Sequence, residues 1–286
     1  MGAEQTHYRV FRGGSKTYFN SSLFFPKEVR ADVFALYGFV RVADNFVDSV
    51  PQDAEGFNEF RDRYRRALAG TPAGDDIIDP FVELATRRGF AEKWTEGFLR
   101  SMEMDLTKRV YHRLEETLAY IYGSAEVIGL YMARILELPD AALDAAMMQG
   151  RAMQYINFIR DIAEDNRLGR TYLPLDLTSL PDLQEASVFS NPKEFSRFVR
   201  QEVERYEDWQ AYAEDGYAFI PKRYLVPVKT ASDMYNWTAR SVAADPFVVF
   251  RRKVKPSRAR ILVSILENSV RIPGKERTSE GLSRRA

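Results

Sequence analysis

The chain contains no cysteine among its 286 residues and only two histidines, His7 and His112. The absence of cysteine excludes disulfides, thiolate zinc sites and a cysteine nucleophile, and it makes a reducing, cytoplasmic location the natural expectation. A carboxylate-bridged di-iron bundle needs a Glu-x-x-His motif on each of two helices. The residues before His112 do not form one, so that class of metalloprotein is disfavoured.

Long apolar runs are also missing, since none approaches the ~18–20 residues of a membrane-spanning helix. Lysine plus arginine number 41, and so do aspartate plus glutamate. Because the net charge is zero, no overall field draws the protein to nucleic acid or to an anionic bilayer, and any anion must be bound by a local cluster. We expect a cytoplasmic protein with no nucleic-acid partner and at most transient, peripheral contact with a membrane.

The segments between the prolines and glycines have helical rather than strand periodicity, which predicts an all-α protein. No repeat or linker marks a boundary, so residues 1–273 are expected to form a single domain. The polar residues 274–286 are expected to be a disordered tail. The predicted helices span residues 27–49, 55–69, 77–88, 90–104, 115–137, 140–167, 193–216, 222–243 and 256–270.

The first of two unusual helical faces lies in the segment ADVFALYGFVRVADNFVDSV, residues 31–50. On a helix, one polar stripe would hold Tyr37, Arg41, Asp44 and Asp48. A solvated surface face is the simplest explanation of such a stripe. The opposite face is apolar, however, so the helix should be buried and the aspartates should point inward, where a divalent cation would offset their repulsion.

The segment GRAMQYINFIRDIAED, residues 150–165, repeats this arrangement. Its stripe holds Gln154, Asn157, Asp161 and Asp165. Four carboxylates and an amide carbonyl on rigid helices suit magnesium, which commonly bridges to substrate phosphate. Arginines that could bind phosphate stand close in sequence, at Arg160, Arg167 and Arg170, although a surface salt bridge is the simpler interpretation of Arg167.

A third segment, residues 118–136, is nearly all apolar but contains Gly123, Ala125 and Gly129. These small residues indicate either close helix packing or space for a hydrocarbon chain. Tyr120 and Tyr122 would offer their π-faces to a cation there.

These motifs resemble those of the squalene and phytoene synthase family. The resemblance is carried by YGFVRVADNFVD (residues 37–48), QYINFIRDIAEDNRLGRTYLP (154–174), SKTYF (15–19) and YIYGSAEVIG (120–129), and it covers roughly residues 10–260. It implies an isoprenoid-synthase-type helical bundle around a central cavity. By the same resemblance, Asp44, Asp48, Asn157, Asp161 and Asp165 would hold a cluster of magnesium ions.

The resemblance also implies how substrate is bound. The residues that would hold phosphate or steady the leaving group are Ser15, Lys16, Tyr37, Arg41, Gln154, Arg160, Arg170, Tyr172, Tyr235 and Arg252. Tyr120, Arg41 and the four aspartates would be catalytic. Two positions depart from the pattern of many relatives: Asn45 replaces an acid, and Glu126 replaces a glycine, so Glu126 should point away from the cavity or find a basic partner.

The activity implied is head-to-head condensation of two allylic isoprenoid diphosphates through a cyclopropyl diphosphate. Phytoene from geranylgeranyl diphosphate is the preferred product, and squalene or dehydrosqualene from farnesyl diphosphate is the alternative. NADPH would be needed only for squalene, and no G-x-G-x-x-G fingerprint occurs. A terpene cyclase or chain-elongating prenyl transferase fits the RxYLP ending poorly, and a non-catalytic assembly protein of the same fold should have lost motif carboxylates.

Overall fold

The structure, a computed structural model, describes residues 25–271, and these residues fold into helices with no named β-strand. The all-α prediction is confirmed. The α-helices are α1 (Lys27–Asp48), α2 (Ala54–Leu68), α3 (Ile78–Arg88), α4 (Glu92–Thr107), α5 (Leu114–Ile121), α6 (Val127–Ile135), α7 (Leu143–Arg160), α8 (Ile162–Arg167), α9 (Glu185–Ser190), α10 (Pro192–Asp215), α11 (Lys222–Ala244), α12 (Val248–Arg251) and α13 (Arg258–Arg271).

Two of the predicted helices are interrupted. The expected helix 115–137 contains a π-helical turn, Tyr122–Glu126, between α5 and α6. The expected helix 140–167 breaks at Asp161, which has φ −99° and ψ 13° and separates α7 from α8. The short helices α9 and α12 were not predicted, because segments of six and four residues carry too little periodicity to be recognised.

Two apolar clusters stabilise the described part of the chain. The first cluster contains buried side chains of α1, α2, α3, α4 and α6. In it the ring of Phe39 on α1 stacks on that of Phe81 on α3, with centroids 3.9 Å apart. The other joins α5, α7, α10 and α11, and in it Phe158 stacks on Tyr172 at 4.5 Å. Helices α1 and α7 therefore each present one face to a core and leave the other face available for a site.

The small residues around the π-helical turn allow helices to approach closely. A Cβ atom added to Gly129 would lie 2.0 Å from the carbonyl oxygen of Ala146 on α7, and one added to Gly123 would lie 2.0 Å from that of Gly97 on α4. Ala125 and Gly129 also line a large apolar cavity. The small residues therefore serve both purposes that the sequence suggested: they let the helices pack closely, and they leave space for a cavity.

Glu126 does not line this cavity and is almost fully buried. Its Oε1 accepts a hydrogen bond from Nε of Arg151 at 2.6 Å, which joins the π-helical turn to α7. The guanidinium of Arg151 also lies over the ring of Trp209, 5.4 Å from its centroid. The expectation of a basic partner is confirmed.

None of the helices in residues 25–271 combines the length and the apolar composition needed to cross a membrane. Ser15, Lys16 and the expected tail, residues 274–286, lie outside the described residues. A single domain over residues 1–273 stays a prediction.

Candidate active site

The first aspartate pair lies at the C-terminal end of α1. Arg41 donates to Asp44 from Nη1 to Oδ2 at 2.6 Å. Burial and then the charge of Asp48 raise the pKa of Asp44 from 3.8 to about 7. The side chains of Asp44 and Asp48 are still 30% and 42% exposed. The expectation that both would be buried is therefore wrong for Asp48, because α1 ends at this residue and its carboxylate lies at the rim of the site.

The second aspartate pair lies at the junction of α7 and α8, with Asp161 between the two helices and Asp165 on α8. The backbone N–H of Asp165 donates to the carbonyl oxygen of Asp161 at 2.8 Å, so the one-turn spacing of the pair survives the break in the helix. Nε of Arg160 donates to Oδ1 of Asp161 at 2.9 Å. Burial and then the charge of Asp161 raise the pKa of Asp165 to about 8.

Arg170 connects the two pairs. It follows Gly169, whose φ of 69° turns the chain after α8, and its backbone N–H donates to the carbonyl oxygen of Asp165 at 2.9 Å. The buried guanidinium of Arg170 donates from Nη1 to Oδ1 of Asp48 at 2.7 Å and from Nη2 to the carbonyl oxygen of Val47 at 2.8 Å. One arginine therefore contacts the end of α1 directly and the turn after α8 through its backbone.

The pKa shifts of Asp44 and Asp165 also indicate that Arg170 lies near both aspartate pairs. Burial and the partner aspartate are the main causes of both shifts, and two further side chains contribute to both. The charge of Arg170 lowers the pKa of Asp44 and of Asp165, and the charge of Asp105 raises the pKa of both. A charge can act on both groups only if it lies near both. Both pairs therefore lie near Arg170 and Asp105, and these two side chains mark the common centre of the site.

Asp105 is a buried acid at this centre that the sequence did not reveal as functional. Its Oδ2 accepts from the hydroxyl of Tyr120 at 2.6 Å, and its Oδ1 accepts from that of Tyr172 at 2.7 Å. Burial raises the pKa of Asp105, Tyr120 and Tyr172. A signal was available, because Asp105 falls on the apolar face of α4 with Phe98 and Met102.

Tyr120 has a different environment from the one expected. It is buried between Tyr111, Phe158 and Tyr172, and it does not line the apolar cavity. The reason is the hydrogen bond to Asp105, which directs its hydroxyl toward the carboxylates. Tyr122 does not line the cavity either, and it packs against Gly97 instead.

An apolar cavity of about 360 Å³ begins beside the aspartates. Tyr37 and Asn157, which line it, stand one helical turn before Arg41 and Asp161 respectively. Gln154 lines it as well, and the cavity follows α7 back to Ala145, about 18 Å away at 1.5 Å per residue. The Oδ1 atom of Asn157 is buried and has no hydrogen-bond partner within the described chain.

Arg252 and Tyr235 are two more of the residues expected to bind substrate. Arg252 is exposed and lines a polar cleft together with Arg160, Asp161 and Lys253, so it borders the second aspartate pair. Tyr235 is half-buried on α11 against the second apolar cluster. Arg167 is exposed and lines the same polar cleft as Arg252.

The geometry can be compared with known proteins. The sequence model described as "Squalene/phytoene synthase" matches residues 11–260. The 15-cis-phytoene synthase of Pantoea ananas is 29% identical over 237 residues, 78% of this chain and 77% of that protein. The 15-cis-phytoene synthase of Enterobacter agglomerans is 30% identical over 236 residues, 78% of this chain and 80% of that protein.

A solved structure has the same fold. The crystal structure of a dehydrosqualene synthase in complex with a ligand superposes with a TM-score of 0.80 and covers 94% of this chain and 95% of its own. Its sequence identity is 18%. This similarity establishes the helical architecture and nothing about the substrate.

Proposed function

Since this chain belongs to the squalene/phytoene synthase family, we propose that it joins two molecules of geranylgeranyl diphosphate head to head and forms phytoene. The enzyme is a transferase of prenyl groups. The observation that carries the proposal is the arrangement of the pairs Asp44–Asp48 and Asp161–Asp165 around Arg170, at one end of an apolar cavity. The relatives named 15-cis-phytoene synthase support the choice of product.

Magnesium suits the donor atoms at this centre. Carboxylate and amide oxygens are hard ligands, and the unpartnered Oδ1 of Asn157 fits such a role. We assign metal binding to Asp44, Asp48, Asn157, Asp161 and Asp165. Within residues 25–271 no three acidic or histidine side chains converge as a metal-holding group, so substrate oxygens and water would complete the coordination. When bound, a cluster of magnesium ions neutralises the charge that develops on the leaving diphosphate.

The arginines of the site are suited to hold diphosphate oxygens. Arg41, Arg160 and Arg170 each contact one aspartate, so their charged ends already lie at the common centre. Arginine binds phosphate in a bidentate manner and stays charged at all physiological pH values. The other residues that we assign to substrate binding are Ser15, Lys16, Tyr37, Gln154, Tyr172, Tyr235 and Arg252.

The proposed reaction has two steps. In the first, the C1–O bond of one substrate breaks and its electron pair leaves with the diphosphate. The double bond of the second substrate supplies the electrons for the new carbon–carbon bond, and loss of a proton closes a cyclopropane ring. In the second step the remaining diphosphate leaves, the carbon skeleton rearranges and another proton is lost. No reductant is consumed, so NADPH would be required only in the alternative reaction of farnesyl diphosphate, in which hydride would quench the last cation to give squalene.

The protein contributes an apolar cavity and neutral aromatic rings. The lining of the cavity is mainly apolar, which keeps water from capturing a cation. Burial raises the pKa of Tyr120 and of Tyr172, so both phenols stay protonated and donate to Asp105. We assign Tyr120 a catalytic role through the carboxylates, because its hydroxyl holds Asp105 in place beside them.

The test is product formation by the purified protein. Geranylgeranyl diphosphate and farnesyl diphosphate are each supplied with and without Mg²⁺ and NADPH, and the lipids are extracted and identified. Phytoene from the C20 substrate without reductant is expected, and squalene or dehydrosqualene from the C15 substrate would replace the proposed product by the alternative. If no diphosphate is released from either substrate in the presence of Mg²⁺, a non-catalytic protein of the same fold is the correct interpretation.

A matched pair of variants identifies the site. Asp161→Asn should abolish diphosphate release, whereas Asp208→Asn, on the exposed face of α10, should leave it unchanged. Equal turnover of the two variants would contradict the assignment of Asp161.

A further inference from the structure

The helix α13 docks onto the rest of the protein through polar side chains. Ser264 and Asn268 are buried, and both donate to Oδ2 of Asp233 on α11, at 2.9 Å and 2.7 Å. Asn268 also donates to the hydroxyl oxygen of Thr230 at 3.2 Å. A surface helix normally buries an apolar stripe and leaves its polar face to water. Here the buried stripe contains hydrogen-bonding groups.

The opposite face of α13 is apolar and exposed. Leu262, Val263, Leu266 and Val270 are 59%, 53%, 67% and 84% exposed. Their spacing puts them on one strip of the helix, opposite Ser264 and Asn268. Of the ten large apolar side chains that are exposed within residues 25–271, four lie on this helix. A contiguous apolar strip of this kind marks a binding surface.

The segment before and at the start of α13 is strongly basic. Between residues 251 and 260 there are six exposed cations and no acid: Arg251, Arg252, Lys253, Lys255, Arg258 and Arg260. Arg251 forms an ion pair with Asp245, and Lys253 forms one with Glu164. Within the described chain, no carboxylate forms an ion pair with Lys255, Arg258 or Arg260. The positive charge is local, because the whole chain has no net charge.

We propose that α13 and this basic segment form a docking surface for an anionic lipid bilayer. The apolar strip would enter the boundary between headgroups and acyl chains, and the cations would lie against lipid phosphates. Charge complementarity selects this occupant over a second copy of the chain. A second copy would present the same face, on which α13 carries three arginines and one acid, and like charges across an interface oppose association.

The position of this surface is favourable for an enzyme that acts on apolar molecules. Arg252 and Lys253 belong to the basic segment and also line the polar cleft beside Asp161. The docking surface is therefore continuous with the rim of the aspartate site. The inference itself rests on α13 and its charges and does not depend on the proposed reaction.

The test is sedimentation of the full-length protein with vesicles, without substrate or Mg²⁺. The protein should bind vesicles of equal parts phosphatidylcholine and phosphatidylglycerol, bind pure phosphatidylcholine much more weakly, and dissociate as salt increases. Leu262→Ser combined with Leu266→Ser should lower the vesicle partition coefficient about tenfold or more. Lys255→Gln combined with Arg258→Gln should lower it about tenfold. Tyr212→Ser, at an exposed apolar residue of α10, is the matched control and should bind as the wild type does.

Circular dichroism melts check that the double variants fold, as expected for exposed positions. The proposal is overturned if the folded wild type does not bind the anionic vesicles, or if the folded leucine variant binds as well as the wild type. It is also overturned if light scattering shows a dimer that the leucine variant converts to a monomer, since a second copy would then cover the strip. Product formation is not measured, so failure here would leave the proposed reaction intact.

Discussion

Replacing Asp44 by asparagine should stabilise the metal-free protein at pH 8. The carboxyl has a pKa of 3.8 in an unfolded chain and about 7 in the folded protein, where burial and then Asp48 oppose its charge. At ~1.4 kcal/mol for each tenfold change, keeping it ionised at pH 8 costs the folded state at most ~4 kcal/mol. The side chain is 30% exposed, and asparagine also weakens the 2.6 Å contact with Arg41. We therefore expect a net gain of ~1–2 kcal/mol in the free energy of unfolding.

The effect should depend on pH in a defined direction. Below pH 3.8 the folded and unfolded chains both hold the proton, so the carboxyl contributes nothing. Between pH 4 and pH 7 only the folded protein retains it, so the stability of the wild type falls relative to that of the variant as the pH rises. Above about pH 7 the difference is constant.

The assay is a thermal melt in EDTA at pH 5 and at pH 8. Asp44→Asn should raise the Tm at pH 8 by ~4 °C, and clearly less at pH 5. Asp208→Asn, which removes an exposed carboxylate of α10, should shift the Tm little at either pH. With Mg²⁺ and inorganic diphosphate present the order should reverse, because only the wild type keeps the full set of carboxylates. A variant that melts at or below the wild type in EDTA at pH 8 would refute the reasoning.

Four further changes follow from the structure. Asp105→Asn should lower turnover more than about tenfold with the fold retained, because asparagine keeps only one acceptor oxygen for the hydroxyls of Tyr120 and Tyr172. Diphosphate release and circular dichroism measure the two effects. Glu126→Ala leaves Arg151 largely buried without its acid, and should lower the free energy of unfolding in urea by ~3 kcal/mol. Gly129→Ala should lower the free energy of unfolding by ~2 kcal/mol, because the added Cβ would meet the Ala146 carbonyl oxygen at 2.0 Å. Gly70→Ala serves as a comparison, because Gly70 has a positive φ but a Cβ added there meets nothing within 4 Å. Mg²⁺ binding with diphosphate at pH 7 should release about one to two protons per protein, since the pKa values of Asp44 and Asp165 are about 7 and 8; a pH-indicator titration that shows no release would contradict this.

The sequence predicted which helix faces carry the site but not how deep those faces lie. The period of 3.6 residues places Asp44 and Asp48 on one stripe, yet it cannot show that α1 ends at Asp48 and leaves it at the rim. The break at Asp161 escaped detection for a related reason. Residues 150–165 keep helical periodicity through it, and the hydrogen bonds from Asp161 to Asn157 and from Asp165 to Asp161 keep the same spacing.

Asp105 was missed because its meaning depends on distant partners. Tyr120 and Tyr172 lie 15 and 67 residues further along the chain, and the second contact exists only because residue 171 pairs with residues 109 and 111. The local pattern places Asp105 on the apolar face of α4, but it does not contain the identity of these partners. The fold class, by contrast, follows from local patterns alone, since each long helix carries its own apolar stripe.

The charges at the centre explain how one arrangement can be stable without metal and still bind it. Five carboxyls meet three guanidinium groups: Asp44, Asp48, Asp105, Asp161 and Asp165 stand against Arg41, Arg160 and Arg170. The acids exceed the arginines by two, and the two carboxyls with pKa values of about 7 and 8 can hold that excess as protons. Protons are easily exchanged for divalent cations when a diphosphate arrives, whereas two more arginines would fill the site permanently. The surplus of acid over arginine is therefore the property that leaves room for metal.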